Sequence, residues 1–338
     1  MKKSIFHIAE LSGNHNNSLE NTIDLIDVFH AAGASSIKFQ TFTADTITIK
    51  SDRPEFKING SLWNGRTLYD LYQESSMPWE WQIELAKKIK TLNMKFISSP
   101  FDYSAVDFLI EQNVDSLKVA SPEIIDTPLI RYMAETGKPL IISTGMASMS
   151  EIDAALNAAF SGKTNKVTLL KCTSSYPSPL ASMNLGAIKR LRDAFGVEVG
   201  LSDHSLGILV PIIAASIGVK VIEKHVILNR DTGGIDSDFS LEPAEYADMV
   251  KQTNQVLTAL GDNIGQTKEE SVAALHRRSL YAVKNIEQGE IFTSENVKSI
   301  RPGSGLKPDF YPLILNSVAA IDITAGEPLN LNMVVWDI

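Results

Sequence analysis

The chain has 338 residues, of which 44% are hydrophobic and 21% charged, so it is neither fibrous nor disordered and is long enough for one large domain and a small one. A net charge of −9 excludes a general polyanion binder, and nucleic acid is not an expected partner. Cys172 is the one cysteine, which excludes an intrachain disulfide framework and a cysteine-rich zinc site and points to a reducing compartment.

The start, MKKSIFHIAELSGNH, has a basic tip but only a brief apolar stretch, and no segment reaches the roughly 18 apolar residues of a membrane span. The expected location is cytoplasmic, without membrane contact. Short β-prone runs then recur at residues 5–11, 35–42, 95–101, 116–121, 139–145, 167–174, 197–203 and 220–227. The segments between them carry helix signals. After the first, Asn17 and Ser18 stand before LENTIDLIDVFHAAGA, where Ile23, Ile26, Val28 and Phe29 fall near helical spacing and Gly33 is placed to stop the helix. Eight strand and helix units in about 260 residues predict a (β/α)8 TIM barrel. A doubly wound sheet is the alternative, but GNHNNS after the first strand is not its glycine-rich loop. The connection 43–94 is long, as lids and binding loops are, and is expected to cover the site.

The eighth strand leads into the loop NRDTGGIDSDFSLEP, the helical pattern AEYADMVKQTNQVLTALG and a polar stretch. The expected division is a catalytic barrel over 1–262, a linker over 263–276 and a small domain over 277–338. In the last, NIEQGEIFTSENV and DITAGEPLNLNMV share Ile, Gly-Glu and a Val eight residues beyond the Gly, which predicts a pseudo-symmetric fold of short strands.

A barrel of this type carries its active site at the carboxyl ends of the strands. In order these ends hold Glu10, Lys38 with Gln40, Ser99, Lys118 with Ser121 and Glu123, Ser143 with Thr144, Thr173 with Tyr176, Ser202 with His204, and Glu223 with His225. His204 and His225 end consecutive strands, flanked by Ser202, Asp203 and Glu223, and two imidazoles so placed predict a metal site with open positions, the catalytic pattern. Manganese, cobalt, zinc and magnesium all remain open, and an oxygen-rich shell completed by substrate leans toward manganese or magnesium. Metal-dependent hydrolases on barrels are a rival, but they want more histidines than six and a His pair on the first strand, where this chain has Glu10. Lys38 and Lys118 lie inside apolar strand patterns and need an anionic partner. That partner is either Glu10 or Glu223, as a structural ion pair, or a bound phosphate or carboxylate assisted by Ser99, Ser121 and Ser143.

The segments IAELSGNHN, IKFQTFTADT, FISSPFD, LKVASPEI, IISTGMAS, LLKCTSSYPSP, GLSDHSLG, VIEKHVIL and IRPGSG, in this order over nearly the whole chain, resemble the sialic acid synthase family. The small domain is similar to the antifreeze-like (SAF) domain of those enzymes. The resemblance implies condensation of phosphoenolpyruvate with an amino-sugar aldehyde, giving a 2-keto acid and phosphate, in a domain-swapped homodimer with a divalent metal, Mn2+ ahead of Mg2+ or Co2+. It assigns His204 and His225 to the metal and Glu10, Gln40 and Asp236 to the aldehyde and sugar hydroxyls. Lys38, Ser99, Lys118, Ser121, Ser143, Ser174, Tyr176 and Ser202 then hold phosphoenolpyruvate or order the site. Arg301 would reach the partner subunit's sugar. Glu10 and Glu123 are candidates for proton transfer, and His225 is counted among the catalytic residues. Within the family, GGIDSDFSLEP and Ser174 resemble the pseudaminic acid synthases, which implies 2,4-diacetamido-2,4,6-trideoxy-L-altrose as substrate. Legionaminic acid and N-acetylneuraminate synthesis are the alternatives with the same chemistry, and a non-catalytic carbohydrate- or ice-binding protein is the alternative of another class.

Overall fold

Eight strands pair in chain order, all parallel, and the eighth returns to the first to close a barrel. They are β1 (Phe6–Glu10), β2 (Ser36–Thr41), β3 (Lys95–Pro100), β4 (Ser116–Val119), β5 (Leu140–Ser143), β6 (Val167–Cys172), β7 (Glu198–Asp203) and β8 (Val221–His225). The computed structural model of the chain describes residues 4–60, 62–261 and 264–336. It divides into two compact units, 1–261 and 262–338; the expected boundary at 262 and 263 lies outside the described residues.

The helix Leu19–Ala31 starts where Ser18 accepts a hydrogen bond from the Asn21 amide at 3.2 Å, and Gly33, at φ +94°, ends it. Its buried face is Thr22, Leu25, Ile26 and Phe29; Ile23 and Val28 flank that stripe and are only partly buried. The connection 43–94 is largely regular, with helices at Ala44–Ile47, Leu68–Ser75 and Trp79–Thr91 and a bridge between Lys57 and Thr67. Among the described residues, no helix is long and apolar enough to cross a membrane.

Strand alternation sorts the side chains into two populations. Outward residues such as Ala9, Phe39, Phe96, Ile142 and Leu201 join the helices in the main apolar core. Inward, Ile8, Ile97, Ile141 and Leu170 fill the lower lumen as a separate cluster. The lumen is tight there: a Cβ on Gly200 would meet Val221 O at 2.5 Å and Leu170 Cδ2 at 2.7 Å. Two residues further along β1, β3, β5 and β8, the inward positions turn polar, as Glu10, Ser99, Ser143 and Glu223, which places the chemistry directly above an apolar plug.

His7, outward on β1, sits 2.9 Å from Thr253 Oγ1 on the helix Pro243–Leu260, and burial lowers its pKa from 6.5 to about 4. The folded state therefore binds fewer protons than the unfolded chain between these values. Stability from this residue is complete above pH 6.5 and falls as pH drops toward 4. By pH 4.5 the loss should reach about 2–3 kcal/mol. Urea midpoints of the wild type and His7→Gln across this range should converge on acidification; parallel curves would remove His7 from the acid response.

In the second unit, β9 (Ser279–Ala282) pairs with β10 (Val297–Ile300), and β11 (Val318–Ala319) with β12 (Val334–Val335), all antiparallel. The repeat is structural. The Gly289 amide donates to Ala319 O and the Gly326 amide to Ala282 O, while Ile286 and Ile323 exchange backbone hydrogen bonds with each other. Both glycines have positive φ, +87° and +95°, which explains the shared Gly at each turn.

Candidate active site

The floor of the site is a four-charge cluster raised on β8, β1, β2 and, across the lumen, β4. Register sets Glu10 beside Lys38 on one side and beside His225 on the other, and Ser202 beside Glu223. Lys38 Nζ lies 2.5 Å from Glu10 Oε2, 3.7 Å from Glu223 Oε1 and 3.4 Å from Ser99 Oγ. Lys118 Nζ lies 3.7 Å from the same Glu223 oxygen and donates to Ser143 Oγ at 2.6 Å. All four charged side chains are at least 95% buried. Burial favours the neutral forms, yet Lys38, between two carboxylates, is held above the ordinary lysine range. Lys118, desolvated and facing one carboxylate and a second lysine, is pulled below it. Burial would also raise Glu223, but Lys118 and Lys38 outweigh it and keep the carboxylate ionised. Glu10 is lifted by burial against the pull of Lys38, and its other oxygen accepts from Gln40 at 3.2 Å.

Around Lys118 the chain offers donors. Ser121 Oγ accepts from the Gly145 amide at 3.1 Å, and a Cβ on Gly145 would come within 2.6 Å of that hydroxyl and collide with Ser174 Oγ. Glycine is thus required for the backbone to approach the hydroxyl cluster of Ser121, Ser143 and Ser174. Cys172 Sγ is 3.9 Å from Ser174 Oγ.

The two histidines stand above this floor with ring centroids 5.2 Å apart, and the Phe239 ring packs edge-on to both, at 6.0 Å from His204 and 4.9 Å from His225. His204 Nδ1 is 3.0 Å from Thr173 O, which fixes that nitrogen as an N–H donor. Burial opposes a charge on this ring, but the Cys172 thiol and Thr173 O outweigh it and hold His204 above 6.5. His225 is buried, and desolvation together with the charge of its neighbours keeps the imidazole neutral, far below 6.5. Its Nδ1 has no hydrogen-bond partner and lies 3.6 Å from Asp236 Oδ2. An oriented imidazole that would give up its Nε2 proton to an ion, beside a neutral one with an orphaned nitrogen, fits a divalent ion. Among the described residues no three His, Cys, Asp or Glu side chains form a ready metal cluster.

These groups open into one cavity of about 270 Å³. Lys38, Gln40, Lys118, Ser121, Glu123, Ser143, Tyr176, Ser202, His204, His225 and Asp236 all line it. Glu10, Ser99 and Ser174 are tied to those residues from behind. Glu123, in the turn Pro122–Ile125, has a buried, unpartnered Oε2, and burial raises its pKa from 4.5 to about 7. Asp236 is likewise raised by burial, against the Ser12 hydroxyl. The upper wall is apolar: Ile47 and Leu71 from the connection 43–94, Trp63 from the same segment, and Ile235 from the loop after β8. The Trp63 indole donates to Ile235 O at 3.0 Å and its ring lies 5.7 Å from that of Tyr176, so the two loops meet over the site.

One expectation changes. Asp203, expected to flank the histidines, points outward because it is one residue out of phase with Ser202 and His204; it pairs with Lys224 instead. Arg301, expected to act on the partner subunit's sugar, is exposed on the second unit. Sequence reasoning missed the apolar wall, Phe239 and Gly145. It placed Glu223 at a strand end with His225 and named it as a possible counter-ion of one lysine, not as the carboxylate shared by two.

A model of the NeuB family matches residues 25–265 and one of the SAF domain matches 277–335. The chain belongs to the NeuB family. This NeuB-family chain is 42% identical to a pseudaminic acid synthase of Campylobacter jejuni, over 97% of its own length and 96% of the relative's. It is 36% identical to an N,N'-diacetyllegionaminic acid synthase of the same organism, over 97% and 99%. Among solved structures, an N-acetylneuraminic acid synthetase of Leptospira borgpetersenii, in complex with citrate, matches with a TM-score of 0.71 at 31% identity, over 80% of this chain and 90% of that one.

Proposed function

We propose that this NeuB-family enzyme is a pseudaminic acid synthase: it condenses phosphoenolpyruvate with 2,4-diacetamido-2,4,6-trideoxy-L-altrose to give pseudaminic acid and phosphate. The observation that carries the reading is the pairing, in one cavity, of a floor with two buried lysines and hydroxyls with a largely apolar upper wall. The floor suits a small phosphorylated carboxylate. The wall of Ile47, Leu71, Trp63 and Ile235 suits a sugar that carries a methyl where others carry a hydroxyl.

His204 and His225 would hold a divalent ion, with Mn2+ ahead of Mg2+ and Co2+, which when bound supplies a Lewis acid for the aldehyde oxygen. Lys118, Ser143, Ser121 and Ser174 hold the phosphate end of phosphoenolpyruvate and aim C3 at the aldehyde carbon. As the new carbon–carbon bond forms, positive charge develops at C2, where the Glu10 and Glu223 carboxylates of the floor stabilise it. Water adds at C2 and Glu123, the carboxyl with no ion pair and a pKa of about 7, takes its proton, which balances the one taken up by the former aldehyde oxygen as it becomes a hydroxyl. The tetrahedral product then loses phosphate by cleavage of the C2–O bond, with one water consumed per turnover. Gln40 and Asp236 face the sugar hydroxyls. In the homodimer we propose, Arg301 of each subunit serves the partner's site.

The test is phosphate release from phosphoenolpyruvate with Mn2+ and, side by side, the trideoxy-altrose, its manno counterpart that leads to legionaminic acid, and N-acetylmannosamine. Turnover with the altrose sugar alone is expected. A preference for either other sugar keeps the chemistry and overturns the substrate, and no turnover with any of them returns the carbohydrate-binding reading.

A further inference from the structure

Behind the two histidines, on the outer face of the barrel, lies an ion pair with no solvent exposure at all: Lys224 Nζ donates to Asp203 Oδ2 at 2.6 Å. These residues immediately precede His225 and His204 in sequence and are register partners on neighbouring strands. Two further bonds tie the pair to the backbone just beyond His204. Asp203 Oδ1 accepts from the Ser205 amide at 2.9 Å, and Lys224 Nζ also donates to Ser205 O. The surrounding layer is the apolar interface of strands and helices. An ion pair buried there gains little net stability over a well-packed apolar pair, because desolvation consumes the Coulombic gain.

We infer that Asp203 and Lys224 are positioning residues: a staple across β7 and β8 that fixes the backbone on both sides of His204 and locks it to the backbone that carries His225, setting the separation of the two imidazoles. The inference rests on the metal reading given under the proposed function. Ligand orientation by groups one shell out is worth about 10- to 100-fold in metal affinity, and the staple supplies it through the main chain, while Thr173 O supplies it to the ring.

The test is the Asp203→Asn/Lys224→Met double variant, which removes both charges and keeps an acceptor for the Ser205 amide. Mn2+ is titrated into the full chain and free Mn2+ is followed by electron paramagnetic resonance. The expected result is a thermal midpoint close to that of the wild type, Mn2+ affinity lower by about 10- to 100-fold, and kcat reduced with KM for phosphoenolpyruvate unchanged, because Lys118 and Ser143, which hold the phosphate, stand on β4 and β5. Wild-type Mn2+ affinity in the folded variant would reduce the pair to a structural one and overturn the inference alone. A wild-type chain that binds no Mn2+ would overturn the metal reading and the inference with it. If the double variant does not fold, Asp203→Asn/Lys224→Gln, which also removes both charges but still offers a donor to Ser205 O, carries the same comparison with the same outcomes.

Discussion

Glu223→Gln is expected to destabilise the barrel by about 3–5 kcal/mol, the usual cost of removing one member of a buried charge cluster. The size follows from its place: one Glu223 oxygen lies 3.7 Å from both Lys38 and Lys118, and Lys118 has no other carboxylate within salt-bridge reach among the described residues. Lys38 keeps Glu10, so the uncompensated charge is that of Lys118. Inorganic phosphate should therefore raise the variant's urea midpoint by more than it raises the wild type's, since the anion takes over the lost counter-charge. A variant as stable as the wild type, with no added response to phosphate, would remove the charge cluster from the account.

Glu123→Gln is expected to separate a catalytic role from its cost. Burial raises the Glu123 pKa from 4.5 to about 7. Below pH 4.5 both folded and unfolded states hold the proton and nothing is lost. Between 4.5 and 7 the unfolded chain releases it first, so stability falls as pH rises, by on the order of 3 kcal/mol in all, and the loss is complete above 7. The glutamine variant lacks this slope, so the wild type should lose that much more stability than the variant between pH 4.5 and 8. Turnover should fall in the variant by about 10²–10⁴-fold, the range for a group that moves a proton in the transition state. Parallel pH profiles of stability together with retained turnover would leave Glu123 outside the mechanism.

The barrel was legible because each strand is a short β-branched or aromatic run bounded by turn residues, and because parallel strands buried on both faces leave little ambiguity in their length. Lys38 and Lys118 stood out for the same reason: a cation inside an apolar pattern has to be paired. What one dimension could not supply was the sharing of charge. Glu10 and Glu223 were read as alternatives, whereas closure of β8 onto β1 brings both to Lys38. Asp203 was misread by proximity in sequence when alternation along β7 already turned it outward. The apolar wall was invisible because Ile47, Leu71, Trp63 and Ile235 come from two loops more than a hundred residues apart, joined by such contacts as that between Trp63 and Ile235.

The central claim is that the floor holds phosphoenolpyruvate while C2 is attacked and phosphate leaves with its bridging oxygen. Phosphoenolpyruvate labelled with oxygen-18 at the C2–O–P bridge, turned over with the trideoxy-altrose and Mn2+, tests it by mass spectrometry of the released phosphate. The account predicts that every phosphate carries the label; unlabelled phosphate would place the cleavage at the P–O bond and contradict it.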